Sequence, residues 1–237
     1  MFYYEGVDMK IALIGLDGSG KSANINLMKS DLEYKGFEFL WVRWQPSITV
    51  MLYKIRHRND TVGARNNSES GKKKQKTLEG NYQRKKGIKK ILFGMGITRK
   101  LWFFYAIGDY KRQFHNKTQQ LIANGSNIIF DRYYLDLFID QGINFGYSPE
   151  KIFQEIEKYK AEFPVMDKII YIKVSPDVCF ARKDDIPNME YLSRRYEIYE
   201  YIAKKQNWYV IDGEKELPVV YDNIKSIILD EVHYEKR

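Results

Sequence analysis

The chain is poor in the residues that build covalent or metal staples. Its 237 residues hold one cysteine, Cys179, and three histidines, His57, His115 and His233. A single thiol excludes an intramolecular disulfide framework, and so few His and Cys exclude a zinc cage built from them. Long apolar runs are missing too: no stretch approaches the roughly 20 residues that a membrane-spanning helix needs. The first residues, interrupted by Asp8, lack the charged start and apolar block of a secretory leader. The expectation is a cytoplasmic protein in a reducing compartment.

Acidic residues are scarce in one place only. Between Lys54 and Lys100 there are 15 Lys and Arg against three acids, Asp60, Glu69 and Glu79, a net +12 in a chain whose total is +8. The remainder is therefore at −4, and the basic character belongs to a segment, not to the body.

What is present is core-forming material, 44% hydrophobic by composition, enough for a buried interior. Short β-rich runs recur at Lys10 to Gly15, Phe37 to Val42, Asn127 to Phe130, Lys168 to Val174 and Trp208 to Ile211. Helical patterns separate them. This alternation predicts an α/β fold with a five-stranded parallel sheet and crossover helices. Ser148-Pro149 and Ser175-Pro176 each place a hydroxyl before a proline, so helices are expected to begin there. Leu101 to Asn124 reads as one long helix closed by Gly125. Leu192, Tyr196, Tyr199 and Ala203 recur at helical spacing and predict a face packed on the sheet. The aromatic cluster Trp102 to Tyr105 is either core or a pairing surface.

Gly15-Leu16-Asp17-Gly18-Ser19-Gly20-Lys21-Ser22 matches G-x-x-x-x-G-K-[ST] at every fixed position, after a predicted strand and before a predicted helix. Glycines let backbone N–H groups converge on anionic oxygens, and the helix N-terminus adds its dipole. Lys21 reaches the outer phosphates and the Ser22 hydroxyl ligates Mg²⁺. The expected ligand is a nucleotide; the loop alone does not separate a kinase from a GTPase or a motor, and no N-K-x-D guanine motif is present. A second apolar run ends in "NIIFDRYY". There Asp131, at a strand's carboxyl end, is suited to hold a magnesium-bound water, and Arg132 to enter the same crevice. The competing reading makes Asp131 a cap and Arg132 a surface residue.

With these residues in place the chain resembles the thymidylate kinase family of nucleoside monophosphate kinases, along its whole length apart from the basic segment. "GLDGSGKSA" is close to that family's phosphate loop. "VRWQP" at Val42 to Pro46 is similar to its R-E-P segment. "DRYYLDLFIDQG" follows D-R-Y-x-x-S-x-x-A-Y-Q-G at Asp131, Arg132, Tyr133, Gln141 and Gly142. "VSPDVCFAR" resembles the strand leading to the lid, and "YVIDG" the loop against which the family packs adenine.

The resemblance implies a P-loop NTPase fold over residues 1–237, a basic insertion at about 56–100 and a short lid at about 182–190. It implies ATP and Mg²⁺ as cofactors and a nucleoside monophosphate, foremost dTMP, as acceptor. The implied ATP site comprises Gly15, Asp17, Gly18, Ser19, Gly20, Lys21, Ser22, Arg182 and Asp212, with the metal at Ser22 and Asp131. Asp17, Arg43, Tyr110, Arg132, Asp136 and Gln141 would face the acceptor. Lys21, Arg132, Arg182 and Asp17 would carry catalysis, with Lys183, Arg194 and Arg195 as further lid cations. A homodimer is a common arrangement in the family.

Departures fall on the acceptor side. Tyr110 replaces the arginine of the A-D-R run, Asp136 the serine after D-R-Y, and Asp140 the tyrosine before Gln141. Two alternatives therefore stand beside the enzyme: a nucleotide-binding adaptor, or a kinase of another phosphorylated acceptor. The segment "RNDTVGARNNSESGKKKQK" has little to bury. It reads as a solvated loop, an extra lid, or a docking element for nucleic acid or an anionic membrane; Ile88, Ile91, Leu92 and Phe93 among lysines suit the membrane version.

Two outcomes are expected. Lys21→Ala abolishes phosphoryl transfer, and Arg43→Ala weakens acceptor use while ATP binding survives. Steady-state kinetics beside an ATP-binding titration check both, and equal loss of the two ligands in Arg43→Ala would show this division of the site to be wrong.

Overall fold

The computed structural model describes residues 9–32, 36–48, 79–80 and 96–234, the side chains of 32 and 230–234 excepted. Most of the basic segment, including Lys72 to Lys76 and Ile88 to Phe93, lies outside the described residues.

Five strands alternate with helices in chain order. They are β1 (Lys10–Ile14), α1 (Lys21–Leu32), β2 (Phe37–Trp41), α2 (Gly96–Ala123), β3 (Asn127–Asp131), α3 (Tyr134–Phe145) and α4 (Pro149–Tyr159). Then follow β4 (Lys168–Lys173), α5 (Pro176–Arg182), α6 (Met189–Ala203), β5 (Tyr209–Asp212) and α7 (Leu217–Tyr234). All strand pairs are parallel, in the order β2-β3-β1-β4-β5. The expected five-stranded parallel sheet is present, with strand bounds within a residue of those read from the sequence.

The strands form where the sequence supplies continuous apolar runs, because a parallel strand covered by helices is buried on both faces. Ile11, Ala12, Leu13 and Ile14 of the central strand are wholly buried, as are Ile128, Ile129 and Phe130 of β3 and Ile170, Tyr171 and Ile172 of β4. Helix α6 lays Leu192 and Tyr199 into that core. The Tyr199 ring stacks on Tyr171 of β4, centroids 5.4 Å apart, as the periodicity predicts. The 102–105 cluster divides: Phe103 enters the core and Phe104 is exposed.

Helix starts follow the capping residues, with one difference. Ser148 accepts a hydrogen bond from the Lys151 amide at 3.2 Å, a side-chain N-cap. Ser175 also precedes its helix but makes no such bond; its own amide donates to the Glu214 carboxylate at 2.8 Å. That turns the strand end toward the loop after β5. Helix α2 begins earlier than expected, at Gly96, and Gly125 ends it at φ 65.

Helices α3 and α4 approach closely at Gly142, where a methyl group would lie 2.3 Å from Ile152 Cγ1. Ile152 is buried and has little room to retreat. Gly142→Ala is expected to cost about 1–3 kcal/mol, the usual cost of overpacking. Chemical denaturation checks it: adding Ile152→Ala is expected to relieve the clash, so the double variant loses less than the sum of the two singles.

Candidate active site

In a parallel sheet every strand ends on the same edge, and open α/β sheets bind ligands outside that edge. The residues singled out in the sequence lie there because each follows a strand. Gly15 to Gly20 follow β1, Arg43 follows β2, Asp131 and Arg132 close β3, Arg182 ends the helix after β4, and Asp212 ends β5.

The phosphate loop is wrapped by its own lysine. Lys21 Nζ donates to Gly15 O at 2.9 Å, Leu16 O at 2.7 Å and Ser19 Oγ at 3.1 Å. Gly18 has φ 91, and a methyl group there would stand 2.6 Å from the Cys179 carbonyl oxygen. The loop therefore needs glycine at this point both for its backbone and for its contact with α5. Burial and the neighbouring Arg132 push the Lys21 ammonium down to about 8, against Asp17, Asp136 and Asp131, which raise it.

Arg132 adopts φ 75, the left-handed region that non-glycine residues rarely occupy. Its amide donates to Leu13 O at 3.0 Å, and this turn sends the guanidinium back across the loop. There it pairs with Asp17 and, at 2.7 Å, with Asp136. Tyr191 of α6 donates to the second oxygen of Asp17 at 2.8 Å, and Tyr199 donates to Asp136 at 2.8 Å. Burial alone would raise the Asp17 carboxyl; Arg132, with Lys21, Arg43 and Tyr191, holds it well below the usual carboxylate range. Beside this group Arg195 pairs with Asp140 and covers the Tyr191 ring, 3.6 Å from its centroid.

These groups line a narrow recess, which Gly15, Leu16, Arg43 and Ile139 complete. It opens beside a wider crevice of about 490 Å³ that brings together Lys21, Ser22, Arg43, Asp131, Arg132, Arg182 and Lys183. Five cationic side chains and two acidic ones line that crevice, an excess suited to a polyanion. Arg182 donates to Gly213 O at 2.8 Å and Glu214 O at 3.4 Å, tying α5 to the loop after β5.

The donor set fits a magnesium ion. Ser22 Oγ lies 3.4 Å from Asp131 Oδ2, while Asp131 Oδ1 is buried with no partner. Burial raises the Asp131 carboxyl, the state expected of a carboxylate placed where a cation would offset its charge. Among the described residues no group of three His, Cys, Asp or Glu is arranged to hold a metal, so an ion here would rely on hydroxyl, carboxylate, water and phosphate oxygens.

Four expected site residues, Ser19, Tyr110, Gln141 and Asp212, line neither the recess nor the crevice; Ser19 is buried within the loop, where its hydroxyl accepts from Lys21. The Tyr110 ring is packed into the core against Phe114 and Phe163, the burial an aromatic ring favours, and among the described residues its hydroxyl has no hydrogen-bond partner. Gln141 is buried and accepts from Trp102 Nε1 at 2.8 Å. Asp212 is exposed at the end of β5 and accepts from the Glu214 amide at 3.0 Å. Arg195, a candidate lid cation, is held by Asp140 instead.

Sequence reasoning missed Tyr191 and Trp41. Tyr191 opens α6 and reaches Asp17 across 174 positions, which no local pattern signals. Trp41 is 46% exposed at the rim of the crevice; a large aromatic left exposed at a strand's carboxyl end was the available sign.

The fold and the loop are those of a P-loop α/β protein. No family model matches the chain. It is 27% identical over 223 residues to a probable thymidylate kinase of Saccharolobus solfataricus, covering 92% of this chain and 95% of the relative. It is 23% identical over 229 residues to a thymidylate kinase of Thermosipho africanus, covering 93% and 97%. Among solved structures, thymidylate kinase from Ehrlichia chaffeensis matches with TM-score 0.56 at 15% identity, over 94% of this chain and 98% of that one. Deoxyadenosine kinase from M. mycoides with bound dATP matches with TM-score 0.52 at 18% identity, over 93% and 99%. The chain is thus similar, at low identity and over most of its length, to thymidylate kinases. Among the described residues no helix is long and apolar enough to cross a membrane.

The depressed Asp17 carboxyl gives a signed expectation. Its folded value lies below its unfolded one, so its contribution to stability is full above about pH 4 and is lost as pH falls toward the folded value. Asp17→Asn is therefore expected to lower stability by about 2 kcal/mol at pH 7. The deficit should shrink at pH 3, as urea unfolding at the two pH values will show.

Proposed function

We propose that the protein transfers the γ-phosphoryl group of ATP to a nucleoside monophosphate, dTMP foremost. The relatives that match most of its length carry the name thymidylate kinase. The single observation that carries the reading is that Arg43 and Arg132 line the same crevice as Lys21 and the phosphate loop, so that two anionic groups can be held side by side.

In this reading Lys21 and the loop amides hold the outer phosphates of ATP. Arg43 and Arg132 hold the acceptor's phosphate, and Asp17 fixes Arg132 and faces the acceptor's sugar. An oxygen of the acceptor phosphate bonds to the γ-phosphorus as the bond to the β,γ-bridging oxygen breaks, leaving ADP and a nucleoside diphosphate. A phosphate monoester has its second pKa near 6, so its oxygen attacks without a general base. Alignment and charge neutralisation then supply most of the rate. Magnesium, when held by Ser22 and by Asp131 through water, would supply further neutralisation of the phosphate charge. Arg182 and Lys183 stand on the lid side of the crevice and are the cations that can close on the transferring group. Asp17 and Asp136, already paired with Arg132 and their tyrosines, are poorly placed to serve as bases for a hydroxyl acceptor.

A cytoplasmic location, where ATP and reduced thiols coexist, goes with this reading. A homodimer and a polyanion contact through the basic segment extend it; the second is supported by the local net charge of +12.

The test is a mass-detected assay with ATP, Mg²⁺ and a panel of nucleosides and nucleoside monophosphates. Turnover of dTMP to dTDP is expected, with the free nucleosides unreacted. Tight ATP binding without turnover of any acceptor would favour the adaptor instead.

A further inference from the structure

Arg43 makes no hydrogen bond among the described residues, yet it lines both parts of the site. Something else must fix it, and the segment it belongs to, residues 42–47, is neither helix nor strand over most of its length. On one side of Arg43 the Val42 amide donates to Asp131 O of β3 at 3.2 Å; the other contacts come from one face of α2, and most of them converge on a single carboxylate.

Asp109 is 6% exposed and receives five hydrogen bonds. Its Oδ2 accepts from Trp44 Nε1 at 3.0 Å, the Ser47 amide at 3.0 Å and Gln113 Nε2 at 2.9 Å. Its Oδ1 accepts from Ser47 Oγ at 2.6 Å and Arg112 Nη2 at 2.8 Å. Two further bonds extend the seam along the helix: Gln113 Nε2 donates to Gln45 O at 2.7 Å, and Lys117 Nζ to Trp41 O at 2.9 Å. Positions 109, 113 and 117 share one helix face, and they clamp the chain at 41, 44, 45 and 47, on both sides of Arg43. A carboxylate accepting this many bonds uses nearly all its lone-pair directions, so it specifies a conformation as well as a contact. Burial would raise its carboxyl, and the donors from Ser47, Trp44 and Arg112 outweigh that and lower it.

We infer that Asp109 is a positioning residue for the acceptor side: by anchoring Trp44 and Ser47 it sets the direction in which Arg43 enters the crevice. It touches neither the crevice lining nor the loop, so its effect passes through Arg43. The inference rests on the function proposed above, in which Arg43 holds the acceptor's phosphate.

A double-substitution cycle on the full chain tests it, with kcat and KM for both substrates measured in Asp109→Asn, Arg43→Ala and the pair. Asp109→Asn is expected to raise the dTMP KM about tenfold, since small misplacements of a positioning group carry such costs, while the ATP KM stays within about twofold. On top of Arg43→Ala it is expected to add less than about twofold. Equal rises in the two KM values, or a tenfold acceptor effect that persists without Arg43, would overturn the inference. If Asp109→Asn does not fold, Ser47→Ala combined with Trp44→Phe removes two of the five donors, the Ser47 hydroxyl and the Trp44 indole, and the same cycle is read. Failure of the kinase reading looks different: wild type then turns over no monophosphate. In that case the Arg43 Nε–H resonance, assigned by its loss in Arg43→Ala, decides. It should shift or broaden in Asp109→Asn, and an unchanged signal would sink the positioning role.

Discussion

Arg132 carries its guanidinium into a space that excludes most water, and it stays there because two carboxylates share its charge. Asp17 comes from the phosphate loop and Asp136 from the first turn of α3. A buried ion pair is weak evidence of net stability, since desolvation offsets much of the attraction. Its value here is geometric. The left-handed turn at Arg132 carries a cost on the order of 1 kcal/mol, and the paired carboxylates with Tyr191 and Tyr199 hold it in place. Loop, strand end and lid-side helix thereby meet at one charge.

The arrangement divides the cations by their freedom. Arg132 and Arg195 are satisfied by carboxylates, so the recess they line is close to neutral. Arg43, Arg182 and Lys183 line the site with less internal pairing, and with Lys21 they give the crevice its positive excess. Attraction for a polyanion thus comes from the side chains of Lys21 at the start of α1, Arg43 after β2, and Arg182 and Lys183 at the end of α5, while the inner pairs line the recess. This is the preorganisation that phosphoryl transfer needs, where alignment matters more than proton chemistry.

The fold was legible wherever a local rule governs it. Apolar runs such as Lys10–Ile14 can be buried only as inner strands, and Gly15 to Ser22 carries its chemistry in consecutive residues. The sheet order then puts Arg43, Asp131 and Arg132 on the edge where Lys21 lies. The acceptor side was less legible because its contacts are distant in sequence. Tyr191 and Asp17 meet only after α6 packs, and Asp109 becomes a hub only once α2 lies beside residues 41–47. Resemblance placed Tyr110 and Gln141 in the site by position in a motif, whereas the core claims the first and Trp102 the second. Ser175 shows the same competition on a small scale: its turn is shaped by Glu214, a partner 39 positions away.

The central claim is that donor and acceptor anions occupy one crevice together, held by Lys21, Arg43 and Arg132. A bisubstrate analogue, adenosine joined to thymidine through five phosphates, probes it directly by competition binding. The account predicts that this molecule displaces both ATP and dTMP and binds more tightly than either alone. Displacement of ATP with dTMP left bound, or an affinity no better than that of ATP, would contradict it.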